Sequence, residues 1–265
     1  TRFYTYVSTM GNAMQAAAEH GLRFVVLDRP NPVNGVDVQG PVLDDGAQSF
    51  VGFHTVPVRH GMTIGELALM FRTETNLTLD LQIIRVEGWD RSQFFDATGL
   101  PWVNPSPNMR CLTQAVLYPG IGLIETTNVS VGRGTDTPFE IVGAPFINGR
   151  ELAAELNAAS LSGVCFVPIR FRPASSRFEG ELCEGVNIVI TDRSAFDPLQ
   201  TGLELAVTLR RLYPVQWETR SLDRLLNDRQ SFDAIVQGRS RHQIMRLYSA
   251  EREEFLRRRA LFLLY

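Results

Sequence analysis

The sequence predicts a mixed α/β protein built on an open, mostly parallel sheet, and three observations carry that expectation. Phe24–Asp28, FVVLD, is a short, continuous apolar run closed by an aspartate, the pattern of a parallel strand buried on both faces. It follows a helical stretch, Thr9–His20, with Met10, Met14, Ala17 and Ala18 at helical spacing and Gly21 as the stop. The same order returns at Thr63 to about Thr73 (helix) and Leu79–Val86 (strand). In such sheets ligands bind beyond the carboxyl ends of the strands. That position belongs here to Asp28–Gly35, DRPNPVNG.

The remaining elements follow in order. RFYTYV reads as a strand end running into the first helix, and Thr1, with no signal-peptide pattern before it, suggests the C-terminal portion of a longer protein. Ser49–Val58 alternates like a strand or paired loop. Thr63-Ile64-Gly65-Glu66 matches a capping box, which assigns Glu66 to structure rather than catalysis. Pro101–Asn108 holds three prolines and reads as a rigid exposed loop. Cys111–Tyr118 predicts a short helix stopped by Pro119-Gly120, and Ile121–Ile124 a strand leading into Glu125.

Near Asn148 the texture changes, which puts a domain boundary near residue 147 and divides the chain into 1–147 and 148–265. Helices are expected at Glu151–Ser160 and Pro198–Leu212, strands at Val164–Phe171 and Val186–Thr191, with a linker around Pro173, Ser175 and Ser176. Ser240–Tyr265 reads as a charged helical end with Arg257-Arg258-Arg259 facing solvent.

Composition narrows the function. The chain has 265 residues, 44% apolar, a net charge of −3 and a pI near 5.9, which argues against a nucleic-acid partner. No run approaches the roughly 18 apolar residues of a membrane span. Cys111, Cys165 and Cys183 form no metal-ligand spacing and read as buried apolar residues. The four histidines lie far apart, so no metal site is expected, and no phosphate loop, GxSxG elbow or dinucleotide fingerprint points to a cofactor.

Four polar loops fall at strand ends or in Pro/Gly-rich turns: Asp28–Gly35, Arg59–Thr63, Pro105–Asn108 and Glu125–Asp136. They supply Arg29, Asn31, Asn34, His60, Ser106, Asn108, Glu125, Asn128 and Arg133. Amides, an imidazole, arginines and few carboxylates suit a ligand rich in hydroxyl, amide and carboxylate groups, such as a sugar. Gly132 and Gly134 flank Arg133 and allow the backbone positive φ, while the guanidinium offers a planar fork of donors. Taken singly, these residues also suit turns and caps.

LDRPNP at Leu27–Pro32, Gly40-Pro41, SFVG at Ser49–Gly52 and RHGMTIGELA at Arg59–Ala68 occur in order. PSPNM, YPG, TNVSVGRGT followed by PFE and GAP, the GV and TDR of Gly185–Arg193 and a final RRALFLLY complete the series. With these blocks the chain resembles the NamZ-like exo-β-N-acetylmuramidase family, glycoside hydrolases first known as a domain of unknown function. The resemblance implies a bacterial enzyme that releases N-acetylmuramic acid from non-reducing ends of peptidoglycan fragments, in the cell envelope, periplasmic or secreted. It implies a Rossmann-like domain followed by a smaller C-terminal α/β domain, and an upstream segment of the same protein carrying a Pro-Glu-His-Gly motif. Gln39 stands where the family usually has glutamate, and Thr126 where it has glycine.

Glycoside cleavage uses a carboxylic acid and a second group on the other face of the sugar. Within this chain Glu125, at an expected strand end in a polar loop, is the candidate, with Asp136 behind it, and His60 would orient a carboxylate or donate to the ring substituents; anchoring the loop through backbone amides is the other reading of Glu125. Arg133 or Arg29 would bind the lactyl carboxylate, and Asn31, Asn108 and Asn128 the hydroxyls or the N-acetyl group. A non-hydrolytic muropeptide- or sugar-binding protein is the competing expectation, and a nucleotide-dependent α/β enzyme a further one.

Overall fold

The structure, a computed structural model, describes residues 1–265. From the start to Pro101 the elements are α1 (Tyr6–Glu19), β1 (Phe24–Leu27), β2 (Gln39–Val42), β3 (Pro57–Arg59), α2 (Ile64–Glu74) and β4 (Leu81–Ile84). Next come α3 (Leu112–Ile124), β5 (Ile141–Ala144), α4 (Gly149–Ala158), β6 (Val164–Phe171), β7 (Cys183–Ile190) and α5 (Pro198–Leu212). The chain closes with α6 (Asp223–Leu226), α7 (Arg229–Val236), α8 (Arg241–Leu247) and α9 (Ser249–Ala260). These form two compact units: Thr1–Pro101 together with Tyr248–Tyr265, and Trp102–Leu247.

In the first unit β1 and β4 pair in parallel, with Phe24 opposite Leu81 and Leu27 opposite Ile84. Val26 points into a core of Met14, Leu67, Met70, Phe71 and Phe255, so helices α1, α2 and α9 all contribute to it. The expected burial of β1 on both faces does not hold. Val25 is 46% exposed and Leu27 71%, while Val26 faces the core on the side where α2 packs. Helix α2 starts with the expected capping box: the Thr63 hydroxyl accepts from the Glu66 amide, and the Glu66 carboxylate accepts from the Thr63 amide. The first residues, expected as a strand end, form no strand before α1, although the Arg2 amide donates to the Val58 carbonyl at 2.9 Å. Of Ser49–Val58 only the last two residues enter a strand, β3, which lies antiparallel to β2.

The run Arg257–Arg259 does not lie on a solvated face as expected. Arg258 donates to Glu74 at 2.7 Å, and Arg259, 7% exposed, donates to the carbonyls of Gly61 and Gly35. Only Arg257 pairs on the outside, with Glu254 of the same helix.

In the second unit the sheet is antiparallel, ordered β5-β7-β6, with α4 against β6 and β7. Strand β6 and helix α5 have the bounds expected from the sequence. Asn148 and Asp197 cap α4 and α5 through their side chains. Two expectations fail at Pro119: it does not stop the helix, and Ile121–Ile124 is not a strand. Helix α3 runs through it to Ile124. An interior proline costs about 3 kcal/mol. Leu117, Ile121, Leu123 and Ile124 are each at most 3% exposed, and each such side chain contributes about 1.5–3 kcal/mol on burial. Packing therefore outweighs the lost hydrogen bond. Gly120 and Gly202 bring α3 and α5 into backbone contact: a Cβ on Gly120 would lie 1.8 Å from the Pro198 carbonyl oxygen.

The cysteines are free; Cys183 is buried, and Cys111 and Cys165 only partly so. No helix is long and apolar enough to cross a membrane.

Candidate functional site

The loop after β1 is organised by Asp28. Its carboxylate, 8% exposed, accepts from the Thr63 hydroxyl at 2.7 Å, the Gly65 amide at 2.8 Å, the Arg29 amide at 2.9 Å and the Tyr265 hydroxyl at 2.8 Å. It thus sits on the amino end of α2, where the helix dipole favours an anion. A Cβ on Gly65 would lie 2.7 Å from the Asp28 carboxyl carbon, so the approach requires glycine there. Burial above all pushes the Tyr265 hydroxyl up to about 12, which keeps it a donor to Asp28.

Of the residues expected to bind substrate, the amide of Asn31 is engaged by the protein, accepting from the Val33 amide of its own loop and donating to the Met62 carbonyl of the Arg59–Thr63 loop at 3.0 Å. Asn34, at φ 63°, accepts from the amides of Val36 and Asp37. His60 lies on the other side of Met62, 4% exposed, and its Nδ1 accepts the Met62 amide at 3.2 Å. Burial holds its pKa well below the usual histidine range, and the neighbouring cations, among them Arg259, Arg2 and Arg59, add to the effect. Arg29 is exposed. Gln39, at the usual glutamate position, accepts from Arg59 at 2.8 Å, and Arg59 also pairs with Asp37 at 3.0 Å. Its amide is therefore part of the β2–β3 framework.

The sequence did not single out Arg91, which binds around Glu66. Its guanidinium donates to that carboxylate at 3.0 Å and to the carbonyls of Gly35, Gly61 and Tyr265. Glu66 itself is wholly buried and also accepts from the Leu264 amide. This is the structural role that the capping box implies.

In the second unit the structure brings Glu125 and Arg133 together. Glu125 is the C-cap of α3 and accepts from Arg133 Nε, while the guanidinium lies 5.1 Å from the centre of the Phe139 ring. Gly132 and Gly134 both have φ near 79°; a Cβ on Gly134 would lie 2.2 Å from the Ser175 carbonyl oxygen. The glycines thus let the Arg133 turn touch the loop between β6 and β7, and the Ala174 amide donates to the Gly134 carbonyl at 2.8 Å. The two loops enclose a cleft of about 440 Å³ lined by Glu125, Ser130, Arg133, Ser176, Arg177 and Phe178, among others. That volume lies within the range of small-molecule sites, about 300–1,000 Å³.

Asn128 is placed differently: it donates to the Gln216 carbonyl at 2.7 Å and accepts from the Glu218 amide at 2.8 Å, which ties down the chain after α5. Asn108 is partly buried in the proline-rich loop. Asp136 is exposed, 3.7 Å from Arg110. The sequence reading took the Arg177 segment for a linker. Ser175 and Ser176 signalled a loop, but nothing local indicated that it faces Arg133.

Comparison with known proteins adds to this geometry. Residues 1–113 match a family model described as exo-β-N-acetylmuramidase NamZ, N-terminal, and residues 116–265 the corresponding C-terminal model. A Bacillus subtilis protein described as peptidoglycan β-N-acetylmuramidase NamZ is 44% identical over 268 residues, covering 100% of this chain. The chain spans 65% of that relative's length. Two crystal structures of DUF1343 family proteins from Bacteroides fragilis superpose with TM-scores of 0.93 and 0.80, at 31% and 29% identity. Each match covers 100% of this chain and 72% of the other.

Proposed function

This chain belongs to the NamZ exo-β-N-acetylmuramidase family, and we propose that it serves an exo-acting glycoside hydrolase releasing N-acetylmuramic acid from the non-reducing ends of peptidoglycan fragments. The observation that carries the proposal is the 44% identity, along the whole chain, to a peptidoglycan β-N-acetylmuramidase. The mixed α/β fold with its parallel strand pair, shared with two solved relatives, accords with it.

The chemistry assigned to this chain centres on Glu125. Glycoside cleavage needs one acid to protonate the departing oxygen and a second group acting on the opposite face of the sugar. Glu125 lines a cleft of suitable size and carries Arg133 as its counter-ion, which suits it to the second role. The polar lining, with Ser130 and Ser176, supplies hydroxyls for a sugar. His60 is assigned an indirect role, supporting the loop of Asn31 through Met62. The cell envelope, periplasmic or secreted, is the location this reading proposes, because peptidoglycan turnover takes place there.

The test is turnover of a chromogenic N-acetylmuraminide by the protein. Release of nitrophenol from it, and not from the matching N-acetylglucosaminide, is the expected result. Binding of N-acetylmuramic acid without any turnover would instead identify a sugar-binding protein.

A further inference from the structure

We propose that Arg177, on the loop joining β6 and β7, binds a carboxylate of the ligand in the cleft of Trp102–Leu247 and thereby selects muramyl over glucosaminyl sugars. The inference rests on the muramidase reading and specifies what that site recognises.

Four arginines lie on or beside this loop, and three are engaged. Arg133 donates to Glu125 and stacks on Phe139; Arg170 pairs with Glu184 at 2.7 Å; Arg172 donates to the Gly180 carbonyl at 2.6 Å. Arg177 lines the cleft, is exposed, and has no hydrogen bond or ion pair to the protein. Its charge is the one in the cleft that no protein group answers. An anion supplied by a ligand would answer it, and a guanidinium fork meets a carboxylate with two parallel hydrogen bonds.

The loop is shaped to present this residue. Ser176 at φ 71° and Phe178 at φ 62° flank Arg177 in the left-handed region, which ordinary residues rarely adopt. Such conformations persist only where surrounding structure holds them. Here the Gly180 amide donates to the Pro173 carbonyl at 2.9 Å, and the Ala174 amide ties the loop to Gly134. The two turns around Arg177 and Arg133 are therefore held against each other.

The rest of the cleft defines the ligand's other groups. Ser130 Oγ accepts the Gly132 amide, which leaves its proton for a ligand acceptor. Glu125 offers acceptors to hydroxyls, and Phe178 an apolar surface. One positive charge among hydroxyls, an acid and a ring fits an amino sugar bearing a single carboxylate. N-acetylmuramic acid has that carboxylate on its lactyl ether, and N-acetylglucosamine differs by lacking the ether. This assignment moves the carboxylate contact from Arg133, whose Nε is taken by Glu125, to Arg177.

The experiment is calorimetric titration of the full chain with N-acetylmuramic acid, its lactyl methyl ester and N-acetylglucosamine. Three proteins are compared: wild type, Arg177→Gln, and Arg170→Gln on the same hairpin outside the cleft. Loss of one charge-assisted contact weakens binding roughly tenfold to a hundredfold. Arg177→Gln should lose that much for the free acid and nothing for the ester or the glucosamine, while Arg170→Gln binds as wild type does. Melting temperatures of the variants check that both remain folded. Equal affinity of wild type and Arg177→Gln for the free acid, in a protein that still cleaves the muraminide, overturns this inference and leaves the family reading standing. A protein that neither binds the acid nor cleaves the muraminide overturns both.

Discussion

A histidine held as buried as His60, with Nδ1 accepting an amide, is kept as the neutral ring. Unfolded, it titrates near pH 6.5, whereas in the fold it does so well below that value. Between the two, the unfolded chain binds more protons, so stability rises with pH there. The contribution is complete above about pH 6.5 and is lost as acid carries the solution down toward the folded value. The melting temperature of the wild type should therefore drop between pH 6.5 and 5 more steeply than that of His60→Gln. Parallel curves would show that another group governs the acid response. Side-chain type was a good guide to such residues' donors and acceptors and a poor guide to their partners. Asn31, Asn34 and Asn128 look like sugar ligands until Met62, Asp37 and Gln216 are found beside them. Asp28 likewise meets Tyr265, which lies 237 residues further along the chain.

Elements with a local signal were read correctly from the sequence. Helix α5 declares itself by Asp197 and Pro198 at its start, and α2 by Thr63 and Glu66. Helix α3 was misread because Pro119 is a local stop signal, while the contacts that override it come from α5. Strand β5 drew no prediction: Ile141–Ala144 is wholly buried but holds only two β-branched residues before Gly143 and Ala144, which are poor strand formers. The α3–α5 crossing can be tested directly. A Cβ on Gly202 would lie 2.5 Å from the Gly120 carbonyl oxygen. Gly202→Ala improves helix propensity by about 0.8–1 kcal/mol yet should destabilise the protein in urea, because overpacking costs about 1–3 kcal/mol. An unchanged or raised midpoint would mean that the helices part without cost. The Arg177 loop went unrecognised for the opposite reason: its left-handed residues are serine and phenylalanine, which carry no sign of that conformation.

On the scale of the molecule, the sequence conveyed the class and the presence of parallel strands, while the pairing of β1 with β4 is visible only in the structure. The sequence placed the change of texture near residue 147, whereas the compact units divide after Pro101 and again after Leu247. The first unit is thus made of two distant stretches, and Phe255 of α9 lies in the same core as Met14 and Phe71. During synthesis, residues 102–247 are complete while the first unit still lacks α9. Domains generally fold as units, the earlier-made first. This chain should reverse that order: translation intermediates stalled beyond Leu247 should resist protease across 102–247 while 1–101 is still cut. The stretch 1–101 would then stay open until Tyr248–Tyr265 arrives to close its core.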